Sequence, residues 1–162
     1  MLQKRPTRQK KVSEYGTQLQ EKQKAKQAYG LREKQFRRYF TTAAKVRSQT
    51  GQTLLQLLES RLDNVIFRAG LAMTRPQARQ LVTHRHFKLN GSRVNIPSLM
   101  VKPGDVIEPY TLNTVSHQTE IPCATWLDLD KKSLKVKVER LPNPEELPLE
   151  FDTQKIVQFY SR

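Results

Sequence analysis

Arginine supplies most of the chemistry that this chain can do. Arg61, Arg68, Arg75, Arg79, Arg85 and Arg93, together with Lys88, fall in one central stretch. A guanidinium carries a planar fork of donors that bonds two oxygens of a phosphate at once, so such a run suits a polyanion. Arg61 and Arg68 are seven apart and share one side of a helix, bracketing Asp63 and Asn64, which are placed to hold Arg61 in a network within the chain. Arg75 and Arg79, four apart, share an exposed helical face. Other groups offer less. His84 and His86 have the spacing of a strand-borne metal pair, but no third ligand lies near them in sequence. No Gly-rich phosphate loop, Ser/His/Asp set or paired-carboxylate cleft is suggested by spacing. The single cysteine, Cys123, excludes an intrachain disulfide and a multi-thiolate metal site, and it reads as a packed thiol. The chemistry on offer is binding, not catalysis, with no cofactor and no metal.

Charge says what would be bound. The 162 residues carry 29 Lys and Arg against 15 Asp and Glu, a net charge of +14. Residues 1–50 hold 14 of the cations and 3 of the anions, net +11, whereas residues 111–162 are nearly balanced. That gradient implies a polyanionic partner and a basic N-terminal third. Hydrophobic residues make up 36% of the chain, low enough that part of the fold is expected to form only with its partner. No apolar run approaches the roughly 18–20 residues that span a bilayer, and Met1 to Lys11 lacks the apolar core of a secretion signal. A soluble intracellular chain is expected.

The elements that must position these groups follow from periodicity. Ser13 to Tyr29 has good helix propensity but a thin apolar stripe of Tyr15, Leu19, Ala25, Ala28 and Tyr29, so residues 1–30 are expected to order on the polyanionic partner. Gly30 breaks that run. Leu31 to Arg47 resumes it, with Phe36, Phe40, Ala43 and Ala44 on one stripe and Arg32, Lys34, Arg37, Arg38, Lys45 and Arg47 around the rest. Gln52 to Ala69 predicts one long amphipathic helix through Leu54, Leu55, Leu58, Leu62, Val65 and Ile66. Thr74 can cap a further helix, with Gln77 reaching back and Pro76 tolerated in the first turn, burying Ala78, Leu81 and Val82. Past His86 the period becomes two, and Asn90-Gly91 predicts a tight hairpin. Val106-Ile107 and Leu134 to Val138 predict further strands, giving an α+β chain. Two helices of this kind could in principle enter a DNA groove, so a DNA-binding regulator is one alternative.

The segments Ser60-Arg-Leu-Asp-Asn-Val-Ile-Phe-Arg-Ala-Gly, Thr74-Arg-Pro-Gln-Ala-Arg-Gln-Leu-Val, Leu89-Asn-Gly-Ser-Arg-Val and Val101-Lys-Pro-Gly-Asp-Val-Ile strongly resemble the family of small-ribosomal-subunit protein four of bacteria and plastids. Glu33-Lys-Gln-Phe-Arg-Arg-Tyr-Phe and the ending Ile156-Val-Gln-Phe-Tyr-Ser are also similar to it, so nearly the whole chain is covered. The resemblance implies a basic helical domain over 1–50, joined by a returning C-terminal helix in 140–162. Beside it would lie an inserted RNA-binding module over 51–139, with two helices and a small antiparallel sheet. It implies direct contact with small-subunit ribosomal RNA at a multi-helix junction of the 5′ domain, a role in assembly and decoding fidelity, and neighbouring small-subunit proteins as partners. The RNA-facing set expected is Arg32, Lys34, Arg37, Arg38, Arg61, Arg68, Thr74, Arg75, Arg79, His84, Arg85, Lys88, Asn90 and Arg93. Many relatives carry an additional N-terminal segment, often with a cysteine zinc site, and this chain begins close to where it would end, so no zinc is expected. Bacterial cytoplasm or plastid stroma would be the place of action. The alternative is a free-standing RNA-binding factor in ribosome rescue or translational repression.

Overall fold

The computed structural model describes residues 10–117, 120–147 and 150–161. Ser13 starts the first helix, α1 (Glu14–Ala28), by accepting the Gly16 N–H at 3.1 Å. Gly30, at a φ of +64°, turns the chain after it. The thin apolar stripe is supplemented by polar groups that the sequence pattern did not mark as buried. Gln18, Glu21 and Lys22 are buried against the last helix, α6 (Thr153–Tyr160). Gln18 donates to Gln158 at 3.3 Å, and the Asp152 N–H donates to Glu21 at 2.7 Å. Lys22 pairs with Glu33 at 2.9 Å while lying 4.7 Å from the centre of the Phe159 ring. Over the described part of residues 1–30, a polar seam thus does what apolar area alone would not; residues 1–9 lie outside the described residues.

The next helix is α2 (Glu33–Ala43), shorter than the expected run to Arg47, with Phe36, Phe40 and Ala43 buried and a single 3-10 turn following at Arg47–Gln49. The long helix expected over 52–69 is two helices. α3 (Thr50–Glu59) ends at Ser60, Arg61 is extended at φ −67° and ψ 141°, and α4 (Leu62–Arg68) starts after it. The break is held by backbone bonds to a distant loop: Val101 N–H to Ser60 at 2.9 Å, Leu62 N–H to Leu99 at 2.8 Å and Asp63 N–H to Pro97 at 3.1 Å. The apolar period runs through the break because both halves are buried, though in different cores. Leu54 and Leu58 join Ala25, Tyr29, Leu31, Phe36, Phe40 and Ile156 in a helical lobe. Leu62, Val65, Ile66 and Ala69 belong to a second core. α3 therefore packs with the basic helical part, and the two cores adjoin at Glu59 and Ser60.

The second lobe adds α5 (Arg75–Thr83) and five strands: β1 (Phe87–Leu89), β2 (Ser92–Val94), β3 (Val106–Pro109), β4 (Leu127–Asp130) and β5 (Lys135–Val138). They form one antiparallel sheet in the order β2-β1-β3-β5-β4. The sequence pattern missed β4. The hairpin turn is as expected, with Asn90 at φ +51° and Gly91 at +84°. Phe87, Ile107, Trp126, Val136 and Val138 fill the core beneath α4 and α5. Leu81, expected in that core, is only partly buried at its edge.

Candidate nucleic-acid interface

The arginines divide into two groups once the fold is formed. Three are structural. Arg61, 1% exposed, donates from Nε and Nη2 to the two Asp63 oxygens at 3.1 and 3.0 Å and from Nη1 to the Tyr39 hydroxyl of α2 at 2.9 Å. Asp63 beside it thus holds it within the chain. Arg68 makes the same forked bond to Glu59, both distances 2.9 Å. Arg75 donates to Asn64 at 2.8 Å and to the Ala28 carbonyl at 3.3 Å, and its Nη2 stays 3.8 Å from Glu59. These three sit where the lobes meet, Arg61 buried and Arg68 and Arg75 half-buried instead of fully exposed as expected, and burying a cation requires the partners they have. Burial pushes the Glu59 carboxyl up, but the Arg68 bonds and charge, with hydrogen bonds from Tyr29 and Asn64, outweigh it and hold Glu59 below the usual carboxylate range. Burial, with the Glu59 charge, pushes the Tyr29 phenol up.

The second group is open. Arg32, Lys34, Arg37, Arg38, Arg79 and Arg85 are exposed. None of the six takes part in the ion pairs found among the described residues. Lys34, Arg37 and Arg38 line a shallow concavity on α2 with Thr41 and Thr42. Arg32 of the helical lobe and Arg79 of the second lobe open into the same cleft, about 440 Å³, whose wall also includes Arg75. Its one carboxylate, Asp63, is already bonded to Arg61.

The hairpin end of the second lobe is held differently. Arg93 donates to the Arg85 carbonyl at 2.8 Å and its guanidinium stacks 3.8 Å from the centre of the Tyr110 ring, with Lys88 at 5.5 Å from the same ring. Tyr110, 47% exposed, was not singled out by the sequence reading. A lone Tyr after a Pro carries no periodic signal; only the pairing of β1 with β3 brings it to Lys88 and Arg93. Asn90 is committed to the fold: its amide donates to Asp105 at 3.0 Å and its oxygen accepts the Val106 N–H at 2.9 Å. Thr74 is the N-cap of α5, accepting the Gln77 N–H at 3.2 Å, while the Gln77 side chain reaches back to the Met73 N–H at 2.8 Å. His84 ends α5, its ring 6.3 Å from that of His86. Among the described residues no group of three or more His, Cys, Asp or Glu is gathered to hold a metal, and no helix is long and apolar enough to cross a membrane.

An α+β lobe joined through Arg61, Arg68 and Arg75 to a basic helical lobe, with exposed cations outside the ion pairs on both, defines a nucleic-acid-binding protein. Residues 60–107 match the family described as S4 domain, and residues 2–59 match the one described as ribosomal protein S4/S9 N-terminal domain. The boundary between the two matches falls at the break between α3 and α4. Over 160 residues the chain is 51% identical to the small ribosomal subunit protein uS4 of Dictyoglomus turgidum, covering 95% of this chain and 78% of the relative. It is 50% identical to that of Dictyoglomus thermophilum over the same shares, and 49% identical to that of Aquifex aeolicus over 96% of this chain and 79% of the relative. The chain belongs to the uS4 family of small-ribosomal-subunit proteins, a structural family and not one of enzymes. A match spanning both lobes does not favour a free-standing RNA-binding factor.

Proposed function

We propose that this chain is an RNA-binding structural component of the small ribosomal subunit, contacting its ribosomal RNA directly at a multi-helix junction of the 5′ domain. There it nucleates assembly and supports decoding fidelity, beside neighbouring small-subunit proteins, in bacterial cytoplasm or plastid stroma. The observation that carries the reading is the convergence of Arg32 and Arg79, from different lobes, on one cleft without a free carboxylate. Lys34, Arg37 and Arg38 extend the cationic surface along α2. A junction concentrates phosphates from several helices, and neutralising them releases condensed counterions, so affinity grows with the number of cations held in place. Groups fixed on helices meet phosphates by shape and charge more than by base identity. Arg85, Lys88 and Arg93 add contacts at the hairpin end, with the exposed His84 nearby.

The test is crosslinking of the chain in small subunits washed at high salt, with sequencing of the attached RNA. Reads that pile up at a 5′-domain junction, at one copy of protein per subunit, are the expected result. Loss of the protein in the wash, or reads scattered over messenger or transfer RNA, would remove the proposal.

A further inference from the structure

Glu59 is 0% exposed, and its two oxygens are shared between the lobes. Oε1 accepts from the Tyr29 hydroxyl at 2.6 Å and from Arg68 Nη2 at 2.9 Å; Oε2 accepts from Asn64 Nδ2 at 2.7 Å and from Arg68 Nε at 2.9 Å. Tyr29 caps α1 and Glu59 ends α3, both in the helical lobe; Asn64 and Arg68 are on α4, and Arg75, 3.8 Å from Oε1, is on α5. A carboxylate has about four lone-pair sites, and here all four are taken by donors from two lobes. Along the chain, the last member of the helical core before the break is Leu58 and the first of the second core is Leu62, with Glu59, Ser60 and Arg61 between them. The joint between them is polar, and Glu59 is its centre.

We infer that Glu59 is a positioning residue: without touching RNA, it fixes the angle between the lobes so that the cations of α2 and those of α5 meet the junction as one surface. The inference rests on the function proposed above. Two tethered binding surfaces gain affinity only when their geometry lets both engage together. Removing the charge of Glu59 leaves the half-buried Arg68 and Arg75 facing each other without the carboxylate between them, and their repulsion opens the joint while each core stays packed.

The experiment places spin labels at Gln20→Cys on α1 and Ser92→Cys on β2, both exposed positions, in the full chain with Cys123→Ser. The label-to-label distance distribution without RNA is compared with affinity for a 5′-domain junction fragment. The unsubstituted joint gives one narrow distribution. Glu59→Gln broadens it, keeps the far-ultraviolet circular dichroism of the helices, and weakens junction binding by roughly tenfold or more. Arg68→Lys, which keeps the charge but loses the fork, moves both readouts the same way by less, and it decides the matter if Glu59→Gln does not fold. A distribution as narrow as before in either folded variant, or a broadened one with unchanged affinity, overturns the inference. Failure of the parent chain to bind the junction would instead remove the proposed function, and the distances measured without RNA would still judge the joint.

Discussion

The Arg75 guanidinium carbon lies 4.6 Å from the centre of the Tyr29 ring and 4.7 Å from that of Phe67, so an arginine of the second lobe is clamped between aromatic rings from both lobes. Its neighbour one turn on, Arg79, is exposed and lines the open cleft. By spacing alone the two are equivalent, both on one exposed face and both expected to leave the melting curve alone when truncated. The structure separates them. Arg75→Ala removes two stacking contacts and the hydrogen bonds to Asn64 and Ala28, and it is expected to lower the unfolding free energy by about 1–3 kcal/mol. Arg79→Ala is expected to stay within about 0.5 kcal/mol and to weaken RNA binding. Urea unfolding of the two variants side by side measures the difference.

Acid should loosen the joint. The Glu59 carboxyl is held below its usual range by Arg68, Tyr29 and Asn64 against the cost of burial, with Arg75 the other charge facing it. A depressed carboxyl contributes stability that is present above the unfolded value, about 4.3, and is lost as the pH falls through the folded value. Glu59→Gln cannot titrate, so its stability should vary less with pH below about 4.3 than that of the parent chain. Denaturant midpoints measured down the acid range give the comparison; parallel curves would mean that Glu59 is not held ionised by its partners.

At the hairpin, Asn90 and Gly91 both have positive φ, and the Asn90 side chain ties the turn to Asp105 and Val106. Gly91→Ala puts a side chain into a left-handed conformation, with an expected cost of about 1–2 kcal/mol from conformation alone because a Cβ there meets nothing. Asn90→Ala is expected to cost a similar amount by leaving the Val106 N–H without its partner. Hydrogen exchange at Val106 should speed up in Asn90→Ala and show which bond was lost.

Depth in the core sets the size of a truncation. Leu58→Ala and Leu62→Ala, each at a site that is 0% exposed, are expected to cost about 2–5 kcal/mol by leaving a cavity. Leu81→Ala, at the edge of its core, should cost less than either. Thermal unfolding orders the three.

Much of this was legible in the sequence, for identifiable reasons. The Thr74 cap, the Phe36–Phe40 stripe and the Asn-Gly turn are local, since each depends on residues within a few positions of one another. The break at Arg61 was not legible, because Leu54, Leu58, Leu62 and Val65 keep helical spacing while facing two cores, and the bonds that hold the break come from the distant Pro97, Leu99 and Val101. The roles of Arg61, Arg68 and Arg75 were hidden for a similar reason. Their partners Tyr39, Glu59 and Tyr29 come from another lobe, and a cation beside a distant carboxylate looks in sequence like a cation facing a phosphate. Asp63 and Asn64, two and three positions after Arg61, were the local sign of that network.

Salt dependence tests the central claim, that exposed cations on two lobes bind ribosomal RNA through phosphates. The dissociation constant of the full chain for a 5′-domain junction fragment is measured across a range of salt concentration. With on the order of six to ten phosphate contacts, the logarithm of the association constant should fall against the logarithm of salt with a slope of about −4 to −9. Arg37→Ala and Arg79→Ala, one from each lobe, should each make it shallower by about one unit. A slope shallower than about −2 in the parent chain, or no change in either variant, would contradict the account.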